Sequence, residues 1–65
     1  MTPVEIRRCL LVLHWSQRSL AAILAYDPRQ VRRWLAGDSP MLAVAADWLR
    51  RRAQAALDDP PPQRR

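Results

Sequence analysis

The sequence predicts an all-α fold of four short helices, or five, and three observations carry that prediction. Apolar residues recur at helical spacing in two stretches: Ile6, Cys9, Leu10 and Leu13 near one end, and Met41, Val44, Ala45, Trp48 and Leu49 near the other. A capping residue followed by proline, a favoured opening for a helix, occurs at Thr2-Pro3, Asp27-Pro28 and Ser39-Pro40. The single glycine, Gly37, stands where a helix over 28–36 requires a left-handed residue beyond its last turn.

Thr2-Pro3-Val4-Glu5 reads as a capping box: Thr2 accepts from the Glu5 amide, Glu5 reaches back to Thr2, and Pro3 occupies a position whose amide has no helical partner. The first helix is therefore expected over about 3–13, with Glu5, Arg7 and Arg8 on its wet side. Ser16 is the natural cap of a second helix over 17–24, and Trp15 before it is placed as a hydrophobic staple. Asp27 caps a third helix over 28–36, its carboxylate set in the positive end of the helix dipole. Ser39-Pro40 opens a long amphipathic fourth helix, expected over 40–57. Asp58 and Asp59 suit a helix C-terminus poorly, and Pro60 to Pro62 cannot continue one, so 58–65 is expected to be a disordered Pro/Arg tail behind a domain spanning 1–57.

A chain of 65 residues holds one domain at most, with a core that leaves only a few kcal/mol of net stability. A single cysteine closes no internal disulfide, and Cys9 with His14 falls short of the roughly four ligands of a structural zinc site, so no metal or cofactor is expected. The apolar run Leu10 to Leu13 is too short for a bilayer and no signal peptide is evident, which predicts a soluble, cytoplasmic protein without a membrane partner. With one histidine, one cysteine and one glycine, the inventory assembles no paired carboxylates, no nucleophile with its base and no phosphate-cradling loop. No enzymatic activity and no small-molecule ligand are expected.

The formal charge is +5, and all eleven basic residues are arginine. Guanidinium forks pair bidentately with phosphate and with the guanine edge, which suits a nucleic-acid partner; a GC-rich genome would also favour arginine over lysine. Clustering within one short segment is harder to explain by codon bias. Arg29, Arg32 and Arg33 share the third helix with Gln30, while Val31 and Trp34 take its apolar side. Two short helices sharing a seam, with arginines concentrated on the second, form the sequence signature of a helix-turn-helix DNA reader.

The segment from 16 to 37 resembles the lambda-repressor/Cro type of helix-turn-helix, also called the xenobiotic-response-element family. The resemblance rests on S-Q-x-x-L-A-x-x-L over 16–24, Tyr26 and Asp27 in the turn, and V-x-x-W-x-x-G over 31–37. It covers about a third of the chain directly and implies a compact four-helix, or five-helix, domain. Ala21 is small where two helices cross closely, and Leu20, Leu24, Val31 and Trp34 fill the angle between them. Ala25 departs from the glycine that the family often carries in the turn. Leu35 stands where relatives often carry a polar residue, so it either packs on the fourth helix or faces a partner.

What the resemblance implies about DNA is specific. Arg29 and Arg33, at i and i+4, would enter one major groove together and read guanine, and Gln30 would read adenine. Gln17 at the first turn of the second helix, with Ser16, Arg18, Arg32 and Ser39, would contact the DNA backbone. A homodimeric transcriptional regulator, a repressor above all, would set its third helices in successive major grooves of an inverted-repeat operator, with half-sites about 34 Å apart. Met41, Val44, Trp48 and Leu49 are the expected dimer surface, the alternative being that they close the core. The small size resembles the autorepressors of phages and mobile elements. An antitoxin or adaptor, or a recombination accessory protein, would instead bind DNA together with a protein partner.

Other residues have plainer readings. His14 has no carboxylate or second histidine near it in sequence, and Cys9 lies on an apolar stripe as a small core residue. Trp15, Trp34 and Trp48 would serve a single-strand binder as stacking platforms, yet each sits where core packing is expected. Arg50, Arg51 and Arg52 are consecutive and so splay around a helix as a solvated run.

Overall fold

Local interactions open the first three helices at the expected residues. The structure, a computed structural model, describes residues 1–59 and contains α1 (Pro3–Leu13), α2 (Gln17–Leu24), α3 (Pro28–Ala36) and α4 (Ala43–Asp58), with no strand among the described residues. The Glu5 amide donates to Thr2 Oγ1 at 3.2 Å and the Thr2 amide donates to Glu5 Oε1 at 3.3 Å, completing the capping box. The Ser19 amide donates to Ser16 Oγ at 3.0 Å, and the Arg29 amide to Asp27 Oδ1 at 2.8 Å. Residues 60–65 of the expected Pro/Arg tail lie outside the described residues; Asp58 closes α4 instead of starting that tail.

α1, α2 and α3 all end in the same way. A left-handed residue follows each helix, His14 (φ 58°), Ala25 (φ 57°) and Gly37 (φ 83°), and the next amide reaches back five residues. Those bonds run from Trp15 to the Leu10 carbonyl (2.9 Å), from Tyr26 to Ala21 (2.9 Å) and from Asp38 to Arg33 (3.0 Å), the pattern of a Schellman cap. The first two caps fold Trp15 and Tyr26 back onto the core. Only the third uses glycine, so His14 and Ala25 each carry the steric cost of a Cβ in the left-handed region. Ala25→Gly should therefore raise stability by about 0.5–1 kcal/mol, visible as a higher midpoint in thermal unfolding. An unchanged or lowered midpoint would show that the turn stores no such strain.

α4 departs from expectation at its start. It begins at Ala43, not at residue 40, and its preceding residue Leu42 offers no side-chain cap. The chain is still completing the α3 cap at Ser39, whose amide also points to the Arg33 carbonyl (3.4 Å), and residues 40–42 run on to drive Met41 into the core between exposed Pro40 and Leu42. Ser39 Oγ accepts instead from Gln30 Nε2 at 3.2 Å. Because Met41 precedes the helix, counting helical spacing from it misplaces the buried stripe. α4 buries Ala45, Ala46, Leu49 and Ala53, while Val44 turns outward.

The core gathers Ile6, Leu20, Val31, Trp34 and Leu49 as fully buried side chains, with no polar or charged residue buried among the described residues. Each such side chain contributes about 1.5–3 kcal/mol of transfer free energy. α4 packs on α1, α2 on α3, and α3 also on α1, so α3 is held from two sides. Leu35 is buried, which settles its role as packing. Trp15 stacks on Trp48 (centroids 6.0 Å, 25° between planes), and Tyr26 meets Trp34 edge to face at 5.4 Å.

One ion pair among the described residues, Arg50 Nη2 to Glu5 Oε2 at 3.4 Å, ties the start of α1 to α4. The Thr2 backbone hydrogen bond, and after it Arg50, hold the Glu5 carboxyl below its ordinary range. Cys9 is half-buried, and burial pushes its thiol upward, as fits a packing residue. No helix among the described residues is long and apolar enough to cross a membrane.

Candidate nucleic-acid interface

α3 divides its residues by face. Val31, Trp34 and Leu35 point into the protein, leaving Arg29, Arg32 and Arg33 exposed on the outside. Three of its nine residues anchor the backbone, which presents the arginines from a rigid support instead of a loop. The Asp27 cap uses the Arg29 backbone amide alone, and no described carboxylate lies within ion-pair distance of Arg18, Arg29, Arg32 or Arg33. Four guanidinium groups on α2 and α3 therefore keep their full hydrogen-bonding capacity for an external anion.

The starts of α2 and α3 meet. Gln17 and Arg18 from α2 and Pro28 and Arg32 from α3 line one shallow cavity of about 320 Å³. The first-turn amides of α2 add backbone donors and a positive dipole end to two arginine side chains, an arrangement suited to a phosphate oxygen; α3 contributes no amide there, since Pro28 has none and Asp27 takes those of Arg29 and Gln30. Ser16 is occupied as the α2 cap, its Oγ bonded to the Ser19 amide and lying 2.9 Å from Ser19 Oγ. Arg29 and Arg33 stand one turn apart on the neighbouring strip of α3, clear of this cavity.

Two of the expected DNA contacts are engaged elsewhere. Gln30 is half-buried and donates to half-buried Ser39, so the pair ties α3 to the connection leading into α4. Gln30 also lines a separate cleft with Tyr26, Asp27, Trp34, Pro40 and Leu42, one step around the helix from Arg29. No signal within the sequence joined residues 30 and 39, because the bond depends on how the α3 cap turns the chain. The same holds for the expected dimer surface. Met41 and Leu49 are buried at 6 % and 0 % exposure in the protomer's own core, which withdraws them from any external contact, whereas Val44 is exposed and Trp48 half-buried.

Among the described residues no three histidine, cysteine, aspartate or glutamate side chains gather as a metal site. Compared with family models, with curated proteins and with solved structures, the chain finds no match in any of the three.

Proposed function

We propose that this chain is a sequence-specific double-stranded DNA-binding regulator of the lambda-repressor/Cro type, acting as a dimeric repressor on an inverted repeat. One observation carries the reading: Arg29 and Arg33 stand exposed, with no ion-pair partner among the described residues, on a capped helix locked from behind by Trp34, beside an anion-suited hollow at the start of α2. In that reading α3 enters the major groove, where each arginine fork spans the two acceptors of a guanine edge. Gln17, Arg18 and Arg32 grip the flanking phosphates and set the depth and register of α3. Repression follows from occupying DNA that polymerase requires.

The groups divide by what their loss does. Arg32→Ala should weaken binding about equally for every sequence and lower the salt slope of log affinity by about one, since one phosphate contact is lost. Gln17→Ala should also weaken all sequences alike, with the salt slope unchanged, because the amide carries no charge. Titrating each variant on a specific and a scrambled duplex across a salt series reads both quantities; a changed base preference in either variant would move that residue to the base-reading class. The test of the whole reading is footprinting of the purified protein on the DNA upstream of its own gene at two salt concentrations. Protection of an inverted repeat is the expected result. Salt-sensitive binding with no preferred site would overturn it.

A further inference from the structure

The side of α4 that does not meet the core carries a patch that is complementary to itself. Val44 is the most exposed large apolar side chain among the described residues, at 83 %. It forms a ridge between two hollows: one of about 400 Å³ lined by Ile23, Tyr26, Trp48 and Arg51, the other of about 530 Å³ holding Asp47 and Arg51. A ridge beside a hollow on one surface is what an isologous contact requires, because a two-fold axis inserts each ridge into the other copy's hollow. Trp48 supplies the hollow with a rigid wall, being held in place by its stack on Trp15.

The charges of the patch point the same way. Asp47 and Arg51 lie one helical turn apart, both exposed, and neither joins an ion pair among the described residues. Nearby Arg50 is answered by Glu5. The side-chain charges of Asp47, Arg51, Arg50 and Glu5 therefore balance here in a chain of net charge +5, leaving the Met1 ammonium at the edge of the second hollow, so two copies meet at this face with less repulsion than the arginines of α3 impose elsewhere. When two α4 helices cross antiparallel about a two-fold axis, Asp47 of each copy faces Arg51 of the other, and the pair occurs twice.

We infer that the partner of this face is a second copy of the chain, docked through Val44, Trp48 and Ile23 with reciprocal Asp47–Arg51 pairs. The inference rests on the dimeric reading given above and replaces Met41 and Leu49 with residues able to reach a partner. Charge reversal tests it. Asp47→Arg and Arg51→Asp should each weaken self-association at least about tenfold, measured by sedimentation equilibrium, because like charges then face each other twice. Mixing the two variants should restore a dimer, now obligately mixed, since one copy carries two arginines and the other two aspartates. Val44→Asp should abolish association in either background. All three sites are exposed, and circular dichroism should show unchanged helix content.

A wild-type dimer that none of these changes weakens would overturn this docking while leaving the dimeric reading standing, since another surface would hold the copies together. A wild-type chain monomeric both free and on operator DNA would overturn both. The DNA-binding part of the reading fails separately, through a dimer that protects no preferred site in footprinting.

Discussion

Trp34→Ala is expected to leave most of the protein unfolded at 25 °C. The indole is 1 % exposed, lies in the cluster joining α1, α2, α3 and α4, and meets Tyr26 edge to face. Truncating a buried tryptophan costs about 3–5 kcal/mol, as much as a domain of this size has in total. Among the described residues no protein acceptor meets the buried indole Nε1–H, so removing that donor breaks no hydrogen bond between described residues. Trp34→Phe should consequently cost less, about 1–2 kcal/mol from lost volume alone, and remain cooperatively folded. Far-ultraviolet circular dichroism with urea denaturation separates the two variants. A folded Trp34→Ala protein with a midpoint near that of wild type would remove Trp34 from the centre of the core.

On the proposed DNA-binding reading, Arg33→Ala is expected to lower affinity for a specific operator by about 1–3 kcal/mol, roughly 5- to 150-fold, and to relax preference at one base pair. Arg29→Ala should do the same at a neighbouring base pair. Both side chains are exposed and form no ion pair among the described residues, and the Asp27 cap holds the Arg29 amide whatever the side chain, so neither substitution should disturb folding. Competition binding against single-base-pair variants of the operator measures the effect. Equal losses for all sequences would place the residue on the phosphate backbone, and the double variant shows whether the two contacts act independently.

Much of the fold was legible because its signals are short-range. Thr2 and Glu5, Ser16 and Ser19, and Asp27 and Arg29 are two or three residues apart, so their hydrogen bonds form within one turn and mark the starts of α1, α2 and α3. Gly37 marks the end of α3 for the same reason, its left-handed conformation being a local property. The exposed arginine strip followed from helical geometry once Val31 and Trp34 were assigned to the interior. Ser39-Pro40 shows the limit of this logic. Its composition suits a helix cap, yet the α3 cap and the burial of Met41 take up residues 38–42 before α4 can begin.

By itself the sequence determined four helical segments, three of their starting caps, and the arginine-bearing face of α3, since each depends on residues within about one turn of one another. Tertiary structure alone decided the rotation of α4 about its axis, which buries Leu49 and turns Val44 outward, the Gln30–Ser39 bond that ties α3 to its connection, and the Glu5–Arg50 pair. Those outcomes join groups nine to forty-five residues apart, and one cap or proline carries no information about them. They are set by the requirement that all four helices bury their apolar sides in one small core, where Met41 takes its place ahead of the helix that follows it.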